Sequence, residues 1–197
     1  MNTCLILVDL QNDYFPGGNM ELVGIEQTAA NALMLLTEFR KAMSPVIHIQ
    51  HISARPGATF FLPGTDGAKI NQLVTPLEGE IVVVKNFPNS FRGTPLSDIL
   101  AKNKTDKLVI CGAMSHMCID ATTRAAFDLG FNCIVAEDAC TTRDLVFRNK
   151  TIKASDVHAS FMAALAVPYA KVLSTNEIIA SLKTGGGKNA THLCRLD

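Results

Sequence analysis

The sequence predicts a three-layer α/β/α domain with a parallel sheet at its centre. Six short apolar runs recur, at residues 4–8, 45–50, 81–84, 107–111, 132–136 and 170–173. Several are apolar throughout rather than alternating, as strands are when both faces are covered. Helical patterns separate them, and strand–helix alternation builds a sheet with right-handed crossovers and helices on both faces.

The first run, Cys4-Leu5-Ile6-Leu7-Val8, stops at Asp9, a residue type depleted in strands. Ile25, Ala29, Ala32, Leu36, Phe39 and Met43 then repeat every three or four residues and give one buried helical face. The second run reaches Gln50, and the third ends at Lys85. A short helix follows at residues 96–101. The fourth run leads into Gly112-Ala113-Met114-Ser115-His116-Met117-Cys118, where Ser115 reads as the N-cap of a helix over 118–129. Gly130 stops that helix. An Ala-rich helix at 154–166 ends before Pro168, and Ser174 and Glu177 have capping-box spacing for a final helix. Residues 12–24 and 53–79 are rich in Gly, Pro and polar side chains. Long loops of this kind serve as lids or binding loops. The expected domain spans residues 1–184, with a flexible tail at 185–197.

The 197 residues are 48% apolar and 18% charged, and eighteen basic side chains balance eighteen acidic ones. That balance argues against a surface for nucleic acid or anionic membrane. The apolar runs are far shorter than the roughly 20 residues of a membrane span. No basic stretch precedes the first run and Asp9 interrupts it, so the expectation is no signal peptide and a cytoplasmic location. The six cysteines form no C-x-x-C pair, and a reducing compartment disfavours disulfides. No P-loop, G-x-G-x-x-G or G-x-S-x-G pattern occurs.

In an open parallel sheet, ligands bind at the carboxyl ends of the strands. Asp9, Lys85 and the Cys118 loop stand there, so an acid, a base and a thiol converge on one edge. A helix start offers Cys118 unpaired N–H groups and positive dipole, which favour a thiolate and can hold an oxyanion. The alternative for Cys118 is a buried structural cysteine; for Asp9, a turn cap; for Lys85, a snorkelling strand-end lysine. His48 and His51 invite a metal reading. Three apart on a continuing strand, they point to opposite faces, so the expectation is no metal site.

Together these residues resemble the isochorismatase-like cysteine hydrolases, over roughly residues 3–182. Leu7-Val8-Asp9-Leu10-Gln11-Asn12-Asp13-Tyr14-Phe15 is similar to that family's opening, and Lys85-Asn86-Phe87-Pro88-Asn89-Ser90-Phe91 to its lysine segment. Pro63-Gly64-Thr65-Asp66-Gly67 and the loop from Gly112 to Ile119 match further landmarks. The resemblance implies a Rossmann-like, mainly parallel six-stranded sheet and a catalytic trio of Asp9, Lys85 and Cys118. It also implies a cis peptide between Ala113 and Met114, with the N–H groups of Met114 and Cys118 turned to the oxyanion. The family's nicotinamidases carry an Asp-x-His metal pair where this chain has His48-Ile49-Gln50-His51, which argues against zinc and nicotinamide. Isochorismatases proper often lack the cysteine, which is present here.

The expected function is hydrolysis of a C–N bond in a small amide or a carbamoyl or ureido compound, through a Cys118 thioester and without a cofactor. Phe15, His51, Phe87, Phe91 and His116 are the expected substrate contacts. Three alternatives stand beside it: a vinyl ether hydrolase, a non-catalytic binding protein and a redox sensor using Cys118. The family's habit of symmetric assembly implies a dimer or tetramer, with Phe60-Phe61-Leu62 as an interface, a packed-down loop or a lid.

Overall fold

In the computed structural model, which describes residues 2–186, the elements follow in the order β1 (Asn2–Val8), α1 (Ile25–Lys41), β2 (Val46–His51), β3 (Ile81–Lys85), α2 (Leu96–Lys102), β4 (Thr105–Ala113), α3 (Asp120–Asp128), β5 (Asn132–Thr141), β6 (Leu145–Phe147), β7 (Lys150–Ile152), α4 (Ala154–Leu165), β8 (Ala170–Leu173) and α5 (Thr175–Gly186). Six strands form one sheet in the order β3-β2-β1-β4-β5-β8, and each neighbouring pair is parallel. Strand order reverses between β1 and β4. Such a switch point opens a crevice outside the carboxyl ends of the two strands.

The run in β1 is apolar throughout because both its faces are covered. Leu5 and Leu7 pack on one side with Ala29, Leu36 and Phe39 of α1 and Ile178 of α5. Cys4, Ile6 and Val8 pack on the other with Leu96 and Leu100 of α2, Ala126 of α3 and Met162 and Leu165 of α4.

The helix ends follow their local chemistry. After α3, Gly130 takes φ 90°, its N–H bonds Phe127 O at 2.9 Å, and Phe131 N–H bonds Ala126 O at 3.0 Å. A left-handed residue held by these two bonds is a Schellman cap, and glycine adopts it without a Cβ penalty. At the start of α5, Ser174 N–H donates to Glu177 Oε2 at 2.8 Å while Glu177 N–H donates to Ser174 Oγ at 3.3 Å, the reciprocal capping box.

Some elements differ from expectation. β4 and β5 run on to Ala113 and Thr141, re-pairing as Gly112 with Cys140 and Ala113 with Thr141 after an irregularity. Glu137 and Asp138 mark the apparent end of the β5 run, yet the backbone continues past them. The antiparallel hairpin β6–β7 was not expected. Its turn residues Arg148 and Asn149 have φ 46° and 63°, a conformation usually signalled by glycine. Residues 185 and 186 belong to α5, and the rest of the expected tail, with Cys194, lies outside the described residues. No helix among the described residues is long and apolar enough to cross a membrane.

Candidate active site

Asp9 follows β1 and Lys85 ends β3, on either side of β2 at the same edge of the sheet, and both side chains are fully buried. Lys85 Nζ donates to Asp9 Oδ2 at 2.7 Å, to Cys118 Sγ at 3.3 Å and to His51 Nδ1 at 3.0 Å. An ammonium has three protons and no acceptor, so these three bonds exhaust it. Two consequences follow. His51 Nδ1 is an acceptor, and a neutral His51 therefore carries its proton on Nε2. The Cys118 proton points away from Lys85. Asp9 Oδ1 is buried and has no hydrogen-bond partner among the described residues, which leaves it free to take that proton.

Burial works against the Lys85 ammonium, but Asp9 and Cys118 overcome it and hold its pKa above the ordinary lysine value. Burial, helped by the Lys85 charge, lowers His51 and keeps it neutral near neutral pH. Burial and then the Asp9 carboxylate push the Cys118 thiol well up, against the opposing pull of Lys85. The resting group is a thiol. Burial thus opposes the thiolate that a helix start would favour.

The backbone around Cys118 also differs. Gly112 has φ 121°, and a Cβ there would collide with the Val8 carbonyl of neighbouring β1. The Ala113–Met114 peptide is cis. Residues Ser115–Ile119 form a π-helical turn, with Ile119 N–H reaching back five residues to Met114 O at 3.2 Å. Ser115 is thus no N-cap. It is the first residue of the turn, and its Oγ lies 2.8 Å from His158 Nδ1 on α4. Cys118 sits inside the π turn, before α3 begins at Asp120.

The Gln11-Asn12-Asp13 run binds the two long loops together. Gln11 Nε2 donates to His51 O and Ala68 O at 2.9 and 2.7 Å, and its Oε1 accepts His51 N–H at 2.7 Å. Asn12 Nδ2 donates to Asp66 O at 3.0 Å. Asp13 Oδ2 accepts Phe61 N–H at 2.6 Å, while Oδ1 accepts from Asn19 N and Nδ2 at 3.2 and 3.0 Å. The segment after Lys85 is tied to α3 by Ser90 Oγ, 2.8 Å from Thr122 Oγ1.

A cavity of about 460 Å³ has Cys118 in its lining. Tyr14, Phe60, Phe61, Phe87 and Pro88 supply apolar walls, and Met114 and Met117 flank the thiol. His51, Ser53, Arg55 and Asn86 add polar atoms. Of the expected contacts, His51 and Phe87 are present and three lie elsewhere. The 3₁₀ turn Asn12–Tyr14 carries Tyr14 into the cavity, while Phe15 borders a separate groove. Phe91 stacks on Phe131, centroids 6.2 Å apart, in the core on the α3 side. The π turn directs His116 to Thr142, with Nδ1 2.6 Å from Oγ1.

His48 and His51 lie on one continuous strand and point apart. His48 Nε2 meets Glu80 Oε2 at 2.9 Å, a carboxylate that the sequence did not place near it. Among the described residues, Asp9, His51 and Cys118 do bring three metal-ligand atoms within 4.8 Å of one another. The Lys85 ammonium bonds one atom of each.

The sequence pattern of the isochorismatase domain matches residues 3–177. The chain belongs to the isochorismatase family. It is 48% identical over 179 residues to the isochorismatase family protein YddQ of Bacillus subtilis, spanning 91% of this chain and 99% of that one. It is 36% identical to the crystal structure of an isochorismatase from Pseudomonas putida KT2440, with a TM-score of 0.83 over 89% of each chain. It is 32% identical over 141 residues to streptothricin hydrolase of Streptomyces noursei, covering 72% of this chain and 55% of that one.

In this isochorismatase-family hydrolase, sequence reading missed Tyr14, Ser53, Ala54, Arg55, Ala58, Asn86, Pro88 and Met117 as cavity residues. Apart from Tyr14 in its 3₁₀ turn and Met117 in the π turn, these stand on loops, where no periodicity reports direction. Phe60 and Phe61 carried a signal, as an aromatic pair in a long loop. Phe61 is buried, its ring tilted against Tyr14 with centroids 4.6 Å apart, and both Phe60 and Phe61 line the cavity, while Leu62 of the same cluster is exposed.

Proposed function

We propose that this protein hydrolyses a C–N bond of a small amide or of a carbamoyl or ureido compound, with Cys118 as nucleophile. The observation that carries the reading is the Lys85 ammonium bonded to Asp9 and to the cavity-lining His51 and Cys118, with Asp9 Oδ1 left unpartnered among the described residues. Asp9 takes the Cys118 proton and the thiolate adds to the carbonyl. The N–H groups of Met114 and Cys118 hold the oxyanion. Asp9 returns the proton to the leaving nitrogen, and water, activated by Asp9, cleaves the thioester. Lys85 keeps Asp9 charged and offsets the negative charge of the thiolate. No cofactor enters the scheme.

A thiol at this place favours amide or ureido substrates over a vinyl ether, whose hydrolysis needs none. The hydrolase of streptothricin among the relatives supports the same direction. Five free cysteines among the described residues suit a reducing, cytoplasmic setting. Val82 and Val84, exposed on edge strand β3, support a homo-oligomer, a dimer or tetramer. The hydrolase domain is assigned to residues 1–184. Ammonia release from a panel of small amides and ureides tests the activity: turnover of at least one member is expected, and a panel wholly inert would overturn the reading.

A further inference from the structure

The charge pattern around the cavity narrows the substrate. Asp9 and Lys85 do not line the cavity; they lie behind His51 and Cys118 as a buried ion pair, so their charges cancel. His51 is neutral and Cys118 is a thiol there. Among the residues that line the cavity, Arg55 alone carries a formal charge, and no acidic side chain lines it. No ion pair among the described residues involves Arg55. Two further guanidinium groups are near and neither lines the cavity: Arg92 lies 3.8 Å from the centroid of the Phe87 ring, and Arg143 is close enough to Tyr14 to act on it electrostatically. One uncompensated positive charge therefore faces a space otherwise bounded by neutral and largely apolar groups.

The loop that carries Arg55 is pinned at its base. Ser53 N–H donates to Phe61 O at 2.9 Å, which closes residues 53–61. Phe61 N–H is held in turn by Asp13 Oδ2. Within the loop, Ala58 N–H bonds Arg55 O at 3.2 Å. The backbone under Arg55 is thus set by the same contacts that set the aromatic wall. In that wall Phe60 and Phe61 meet edge to face at 5.0 Å and Tyr14 joins them. A pocket of this kind selects by an apolar body and by a few placed polar groups. A guanidinium fork matches the two oxygens of a carboxylate.

We propose that the substrate carries a carboxylate beyond a flat apolar body, and that Arg55 receives it while the amide carbon meets Cys118. This rests on the amide-hydrolase reading and names the substrate class for it. Arg55 is then a specificity residue: it binds the end of the substrate remote from the reacting bond.

The test uses benzamides bearing a para carboxylate, directly or on a methylene or ethylene arm, against matched compounds with a neutral nitro or methyl group. Ammonia release gives kcat/KM for each, and calorimetry on the Cys118→Ala protein gives binding of the same compounds without turnover. At least one acid should exceed its neutral partner by about tenfold or more, the size of one charge-assisted hydrogen bond. That ratio should fall toward one in Arg55→Met, through KM, and be partly kept in Arg55→Lys. A ratio near one in the unsubstituted protein, or a ratio unchanged in Arg55→Met, overturns the role of Arg55 while leaving the hydrolase reading intact. If none of these benzamides is turned over yet the acids bind with the Arg55-dependent ratio, the anion site stands, and an inert amide and ureide panel beside it would overturn the hydrolase reading alone.

Discussion

Lys85 Nζ lies 2.7 Å from Asp9 Oδ2, and both side chains are fully removed from solvent. A buried pair of this kind contributes little net stability beside an apolar replacement, but removal of one partner leaves an uncompensated charge. Lys85→Met should therefore cost about 3–5 kcal/mol in chemical denaturation. It should also abolish most ammonia release and slow iodoacetamide labelling of Cys118, because an unpaired buried carboxylate takes up a proton and ceases to be a base. In the double variant Asp9→Leu/Lys85→Met much of the lost stability should return. Unchanged stability and labelling in Lys85→Met would place Lys85 outside the site.

Asp13 should govern the cavity from a distance. Its carboxylate is buried and accepts from Phe61 N and from two Asn19 nitrogens. Asp13→Ala strands those donors, so a loss of about 1–3 kcal/mol is expected, together with a raised KM as the Phe61 end of the 53–61 loop loosens. An unaltered KM would mean that the loop is held by its other contacts.

Glu80 ties α1, β2 and the approach to β3. Arg40 reaches its two oxygens at 2.7 and 2.8 Å, and His48 and Leu77 N–H approach Oε2 at 2.9 Å each. Chiefly through the Arg40 hydrogen bonds, with burial opposing, the Glu80 pKa falls from 4.5 to about 2. A depressed acid stabilises the fold above its unfolded pKa and loses that contribution as pH falls through the folded value. The protein should melt above Glu80→Gln at neutral pH, and the gap should close between pH 4.5 and 2. A gap constant over that range would contradict this assignment.

The metal-ligand geometry of Asp9, His51 and Cys118 invites a chelation test. Because Lys85 bonds all three, ammonia release should survive extended EDTA treatment. Loss of activity that zinc restores would show that these residues hold an ion.

The site was legible at its floor and obscure at its walls, for one physical reason. In a parallel sheet every strand ends on the same edge, so Asp9, Lys85 and the Cys118 loop could be brought together from their places after apolar runs. Loop residues have no such rule. Tyr14 and Phe15 are neighbours, and only the 3₁₀ turn decides which enters the cavity. Phe87 and Phe91 share a segment, yet Ser90 anchors it to Thr122 and Phe91 falls on the far side. The π turn at Ser115–Ile119 was hidden as well, since its residues read equally well as the first turn of an α-helix. Resting protonation was invisible too, because burial depends on the whole fold: Cys4 and Cys111 are also pushed up, to about 12, by burial.

The central claim is that Cys118 forms the bond to substrate, and its most direct test is the rate of ammonia release by Cys118→Ala. Cys118 is almost wholly buried within a turn held by backbone bonds, so removal of the sulfur should leave the far-ultraviolet circular dichroism unchanged. On the amide turned over fastest by the unsubstituted protein, the rate should fall by about 10³-fold or more, as for loss of a nucleophile. A folded Cys118→Ala protein that retains a rate within about tenfold of the original would contradict the account.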